Sequence, residues 1–253
     1  PCGEIALLML GGYCVIADVV PFHAESDDEA EDAFRTAVRA LMRTNTMDCL
    51  YNREVKRTNR IGVGITGFHE WAYSRFGFAW RDIINEAKSR KMWMTLSRWR
   101  RAITEEAEAY AKVLGVAVPH TNTTFKPAGT TSKLFGLSEG AHLPSMRWFM
   151  RWVQFRNDDP LIEEYRAKGY PVRQLKTYAG TTIVGFPTAP TICQIGDGDW
   201  VVTAAEATPA EQYQFLRLLE KYWIVGVDED GVSLAEDRGN QISYTLKYKP
   251  EVT

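Results

Sequence analysis

The sequence predicts an α/β fold built on parallel strands, and three observations predict it. Apolar runs of strand length recur along the chain, bounded by glycine, proline or hydroxyl residues. Between them lie longer stretches whose apolar residues repeat every three or four positions, the period of a helix with one buried face. Nothing divides the two kinds of segment into separate blocks: no internal repeat or low-complexity linker interrupts the 253 residues. Strands interleaved with amphipathic helices assemble as a sheet with helices outside. With 45% hydrophobic content, the chain can bury the core of one large domain or a substantial part of one. It begins with Pro1 rather than Met, which reads as a piece of a longer protein.

Residues 4–10 (EIALLML) and 13–20 (YCVIADVV) read as strands, joined through Gly11 and Gly12. The period then changes. Ser26 with Glu29 forms a capping box, and Ala30, Phe34, Ala37, Val38, Leu41 and Met42 share a face, which predicts a helix over 27–44. Residues 61–77 read as a glycine-rich entry into a short helix. A long helix follows with Leu96, Trp99, Ile103, Ala107, Tyr110 and Leu114 inward, until Gly115 ends it. Strand signals return at 146–155, 181–186 and 242–248, and in the last of these Ile242, Tyr244, Leu246 and Tyr248 alternate with polar residues. One more helix opens with Thr208 as cap, Pro209 at its first position and Glu211 as the box partner, turning Tyr213, Leu216, Leu219 and Trp223 inward.

Charge narrows the function classes. Thirty lysines and arginines balance 32 acids, so no strong field favours nucleic acid or a membrane surface as partner. No run of about 18 apolar residues is present, and no basic-then-apolar leader stands at the amino terminus, so no membrane partner is expected. Four widely spaced cysteines do not make a secreted disulfide framework, which favours a reducing cytoplasm. His23, His69, His120 and His142 show no ligand spacing with one another or with a cysteine, and no metal site is expected.

Two stretches carry chemistry. In PCGEI, Gly3 lets the backbone beside Cys2 come close to a ligand, and on a regular strand Cys2 and Glu4 share a face, so a thiol and a carboxylate address one small substrate. A small buried hydrophobe beside a surface charge accounts for the same pair. Cys14 sits in what reads as an ordinary core strand, and Cys49 and Cys193 read as structural. In FKPAGTTSKLFG (125–136), a glycine and three hydroxyl residues at a helix start offer amides and hydroxyls to a phosphate. The spacing is not that of a P-loop, and a plain capped helix explains it as well.

Together PCGEI and KPAGTTSKLFG resemble the ribonucleotide reductases, specifically the adenosylcobalamin-dependent class II branch. GLSEGAHLPSMRWFMRWVQFRNDDPLIEEYRAKGYPVR, TTIVGFPTAPT and GNQISYTLKY extend the similarity to the monomeric ribonucleoside-triphosphate reductases over residues 1 to about 250. Gly3 favours this class over the class I large subunit, and no terminal glycyl-radical motif of the class III type is present.

The resemblance implies that residues 1–253 are the carboxyl-terminal half of a catalytic domain, part of a ten-stranded α/β barrel with a central finger loop. It implies adenosylcobalamin as cofactor, a ribonucleoside triphosphate as substrate, a thioredoxin-like dithiol as reductant, and a missing amino-terminal part of the same protein as partner. Cys2 matches the thiyl-radical cysteine, Glu4 the general base at the 3'-hydroxyl, and Cys14 one member of the redox pair. Ala128, Gly129, Thr130 and Thr131, with Ser132 next in line, match the loop that cradles the substrate phosphates; Ala128 stands where a serine is common in the family. The asparagine before the Pro-Cys pair, the partner of Cys14, the effector loops, most of the cobalamin surface and the terminal cysteine pair are expected in the rest of the longer protein. A straight hairpin about Gly11 and Gly12 would leave Cys2 ~20 Å beyond Cys14 at about 3.4 Å per residue, so the resemblance requires a loop that curls back and brings the two thiols together. Two other readings stand beside this one. The first is a noncatalytic phosphate- or nucleotide-binding module needing a complementary chain; the second is a thiol-disulfide oxidoreductase using Cys2 and Cys14, which lacks a Cys-x-x-Cys motif.

Overall fold

The computed structural model describes residues 5, 7, 12–234 and 238–249. Two sheets organise them. The first contains β1 (Ile16–Val19), β2 (Gly62–Ile65), β3 (Thr123–Phe125) and β7 (Gly239–Ile242), all parallel and in that spatial order. The second contains β4 (Phe149–Arg156), β5 (Val172–Gln174) and β6 (Thr181–Thr188), antiparallel with β6 in the middle.

Three helices cover one face of the parallel sheet. The first, α1 (Asp27–Thr44), occupies the predicted range, and its Ser26 cap accepts the Glu29 amide at 3.0 Å. The box closes one residue early, because the Glu29 carboxylate accepts the Glu25 amide at 2.6 Å. The short α2 (Asn52–Thr58) leads into β2, and after it come α3 (Phe68–Phe76), α4 (Trp80–Ile83) and the long α5 (Arg90–Leu114), ended by Gly115 at φ +65°. Two short helices, α6 (Thr131–Phe135) and α7 (Leu161–Ala167), precede α8 (Pro209–Leu219), which shows the full Thr208–Glu211 capping box. A π turn over Glu220–Val225 continues α8 and sets the Trp223 indole against β3, where its N–H donates to the Thr124 carbonyl at 2.9 Å.

The period of each helix explains its packing. Phe34, Val38 and Met42 of α1, Leu96, Trp99 and Ile103 of α5, and Phe215, Leu218 and Leu219 of α8 pack in one core with Val19, Val63, Ile65 and Phe125 from the strands. Every second strand residue points the other way. That second face carries Asp18, Gly62, Gly64, Thr124 and Lys126.

Several sequence expectations are corrected. The strand expected over 13–20 is confined to Ile16–Val19, and that over 146–155 runs Phe149–Arg156. The strands near 150 and 183, β4 and β6, are antiparallel, and so are β5 and β6, whose six connecting residues are too few for a parallel crossover. The glycine-rich entry at 61–77 contains a strand, β2, before its helix. The strand expected over 242–248 ends at Ile242. Beyond it the backbone is held by side chains: the Thr245 amide donates to His142 Nε2 at 2.9 Å, and Lys247 meets the Gln212 amide group. Tyr213 is exposed, since the buried face of α8 centres on Phe215, Leu218 and Leu219 and takes Gln212 instead. The strand expected over 4–10 lies outside the described residues except for Ile5 and Leu7. A ten-stranded barrel is not present among the described residues, whose parallel sheet has four strands.

Candidate functional site

The parallel strands end on a shared edge, and the loops that leave it build the site. Beyond β3 the chain runs through Lys126 and Pro127 into the loop Ala128–Ser132. Ala128 is buried and held at φ +51°, a left-handed conformation that costs a residue with a Cβ about 1–2 kcal/mol. The Ser132 amide closes the turn onto the Ala128 carbonyl at 2.9 Å. Gly129 faces open space, and Thr130 and Thr131 are exposed. Among the described residues the amides of Gly129, Thr130 and Thr131 have no acceptor, and the fully buried Ser132 Oγ has no hydrogen-bond partner. A strained turn that leaves amides and a hydroxyl unspent suits an anion.

A second loop, Ser138–His142, locks the first. Its carbonyls at Ser138 and Gly140 accept the Gly67 and Phe68 amides, each at 3.2 Å. The Glu70 carboxylate accepts the Ser138 amide and hydroxyl, each at 2.6 Å, and burial pushes this carboxyl above its usual range against those bonds. His69 Nε2 lies 2.9 Å from the Ala141 carbonyl, and burial pushes its pKa down to about 4, which keeps the ring neutral. His142 contacts the Glu139 carbonyl through Nδ1 at 2.9 Å and accepts the Thr245 amide through Nε2, so Nδ1 carries the proton. Its ring stacks on Tyr244 with centroids 4.5 Å apart. Burial lowers the His142 pKa and raises that of Tyr244 to about 12.

On the sheet face away from the helices, Lys126 Nζ lies 3.6 Å from Asp18 Oδ2. Gly62 and Gly64 keep this face open: a Cβ on Gly64 would come within 2.8 Å of Asp18 Oδ1. A Cβ on Gly62 would come within 3.2 Å of the Ile5 side chain, which lies buried there. Ile5, the residue after Glu4 in the sequence, thus lies on the face that Asp18 and Lys126 share.

The predicted site residues divide as follows. Cys2 and Glu4 lie outside the described residues, and so does the expected approach of Cys2 to Cys14. Cys14 is exposed just ahead of β1, at the opposite edge of the sheet from the Ala128–Ser132 loop. At about 3.3 Å per residue the four residues of β1 separate those edges by ~13 Å. The hydroxyl loop is formed, with Ser132 inward and both threonines outward. Sequence reasoning missed Asp18, Lys126, Gly62, Gly64 and Gly140; the glycine alternation in GVGI was the available signal for two of them. A cavity of about 360 Å³ lies on the far side of α6, lined among others by Lys133, Leu137, His142, Phe149 and Lys247. None of Cys14, Asp18, Lys126 or Ala128–Ser132 lines it.

No family model matches the chain. A curated protein from Levilactobacillus brevis, named adenosylcobalamin-dependent ribonucleoside-triphosphate reductase, is 30% identical over 97% of the chain. A protein of the same name from Lactobacillus delbrueckii subsp. bulgaricus is 27% identical over 98%. Among solved structures, a B12-dependent class II ribonucleotide reductase superposes with a TM-score of 0.75 over 97% of the chain, at 26% identity. The chain resembles part of a class II ribonucleotide reductase. It spans about 35% of the length of the curated relatives and 34% of the solved chain. No helix among the described residues is long and apolar enough to cross a membrane, and among them no cluster of three or more His, Cys, Asp or Glu could hold a metal ion.

Proposed function

We propose that the chain is the carboxyl-terminal half of the catalytic barrel of a cytoplasmic class II ribonucleotide reductase, which reduces ribonucleoside triphosphates to 2'-deoxyribonucleoside triphosphates for DNA synthesis. The observation that carries this reading is the similarity to reductases of that name along 97% of the chain, at the level of both sequence and fold.

Among the described residues, the surface open to an adenosylcobalamin cofactor is the sheet face floored by Gly62 and Gly64. Adenosylcobalamin, when bound, supplies the radical that removes the hydrogen atom from the Cys2 thiol. Cys2 then takes the 3'-hydrogen of the ribose, and Glu4 takes the proton of the 3'-hydroxyl. The 2'-hydroxyl leaves as water. Cys14 and a partner thiol deliver two electrons and become a disulfide, and Cys2 returns the hydrogen to C3'. The sum converts one ribonucleotide and two thiols into one deoxyribonucleotide, one water and one disulfide, which a thioredoxin-like dithiol reduces again. Through this cycle Ala128–Ser132 hold the phosphates by their backbone amides and the Ser132 hydroxyl.

The test is an assay on the protein with its upstream sequence, supplied with a ribonucleoside triphosphate, adenosylcobalamin and a dithiol. Deoxynucleotide is expected from the parent and none from Cys2→Ser; Cys14→Ser is expected to fail multiple turnovers. A folded parent that makes no deoxynucleotide from any ribonucleotide overturns the reading, and retained triphosphate binding would then favour a noncatalytic module.

A further inference from the structure

We infer that Lys126 is the cation of the phosphate site, that it contacts the outermost phosphate of the substrate, and that Asp18 is the positioning residue that aims it. The inference rests on the reading of Ala128–Ser132 as a phosphate loop and adds a charge that this loop lacks.

The loop offers amides and hydroxyls but no cation of its own. A triphosphate tail carries three to four negative charges near neutral pH, and hydrogen bonds from neutral donors alone hold such a charge poorly. Two lysines flank the loop. Lys133, on α6, is spent on Glu139 at 2.6 Å. Lys126 stands at a looser 3.6 Å from Asp18 Oδ2, inside ion-pair range but beyond a hydrogen bond, which leaves its ammonium donors available.

Position reinforces the choice. Lys126 follows Thr124 by two residues and shares its side of the sheet, the side on which Ile5 lies. It precedes the strained turn at Ala128 by two residues, so the ammonium and the unspent amides of 129–131 rise from one short segment. The backbone of that segment is fixed: Gly140 packs on the Lys126 carbonyl so closely that a Cβ there would meet its carbonyl carbon at 3.1 Å. The Asp18 side chain is only 4% exposed, and a buried carboxylate is a rigid anchor for the flexible lysine stem. The buried Ser132 hydroxyl, without a partner among the described residues, is an independent mark of an absent ligand at the same turn.

The experiment compares the upstream-extended parent with Lys126→Met, Lys126→Arg and Asp18→Asn. It reads kcat and KM for a ribonucleoside triphosphate and the matching diphosphate, and calorimetric binding of inorganic triphosphate and pyrophosphate. Lys126→Met should raise the KM for the triphosphate at least about tenfold, the value of one charged hydrogen bond, with a smaller effect on the diphosphate and kcat nearly unchanged. Lys126→Arg should restore most of the loss, and Asp18→Asn should give an intermediate KM with a normal urea midpoint. Inorganic triphosphate should lose affinity in the same order. An unchanged triphosphate KM in Lys126→Met, or an equal rise for both nucleotides, overturns the inference while leaving the reductase reading intact. A parent with no reductase activity whose triphosphate binding still depends on Lys126 removes that reading and keeps the inference.

Discussion

Gly140→Ala tests the locking of the two loops. Gly140 sits at φ +61°, where a side chain costs about 1–2 kcal/mol. Its new Cβ would also land against a backbone carbonyl, 3.1 Å from the Lys126 carbon, 3.5 Å from Pro127 Cα and closer still to the Lys126 oxygen. That carbonyl cannot swing aside as a flexible side chain would, because β3 fixes it on one side and the Ala128 turn on the other. Displacing it adds about 1–3 kcal/mol, so the total should reach about 3 kcal/mol. Gly77 supplies the control: it has φ +70° and nothing within 4 Å of an added Cβ, so Gly77→Ala should cost only the conformational part, about 1 kcal/mol. Urea unfolding followed by tryptophan fluorescence compares the two variants with the parent. A Gly140→Ala cost within about 0.5 kcal/mol of the Gly77→Ala cost would refute the steric reasoning.

Other outcomes follow from single side chains. Burial holds His69 at about 4 against an ordinary 6.5, so the unfolded chain binds a proton that the native state refuses. The stability from the neutral ring is complete above pH 6.5 and is lost as pH falls toward 4, by about 3 kcal/mol in all; His69→Gln should lack that slope, so the difference between the two proteins' pH–stability curves should show it. Thr208→Ala removes a cap whose hydroxyl accepts the Glu211 amide and should cost about 1 kcal/mol in urea, against no change for an exposed-site control such as Tyr213→Ser.

The helices were legible because each one packs a single stripe against a single layer. α1 and α5 bury the residues that period 3.6 selects, and Ser26, Thr208 and Gly115 mark ends with local chemistry that needs no tertiary knowledge. The strands were less legible where the sheet departs from simple alternation. β2 reads GVGI: Val63 and Ile65 enter the core, while the glycines on the other face hold no side chain at all, so the usual polar half of the alternation is missing. β3 is three residues long, too short to carry a period. Residues 242–248 alternate for another reason: Tyr244 packs on His142 and Lys247 on Gln212, so side chains take the place of a neighbouring strand. At the site the hydroxyl loop was legible as a run of residues. The Asp18–Lys126 pair was not, because it joins positions 108 apart that meet only when β1 and β3 flank β2.

The two faces of the parallel sheet differ in what can cover them. Parallel sheets are found with both faces covered, and among the described residues the helices cover only one. If a second helical layer were to cover the other, that face should carry branched apolar side chains, as the covered face does with Val19, Val63, Ile65 and Phe125. It carries instead Asp18, two glycines, Thr124 and Lys126, with Ile5 seated at Gly62. Small and charged residues make a poor seat for a helix stripe and a good floor for an extended segment and a polar ligand. A helix sandwich does not satisfy that face. The same reasoning makes Gly62 the most informative floor position. An alanine there would press on both Thr124 and Ile5, at 2.8 and 3.2 Å, and so would displace the Ile5 side chain while leaving the helix-covered core untouched.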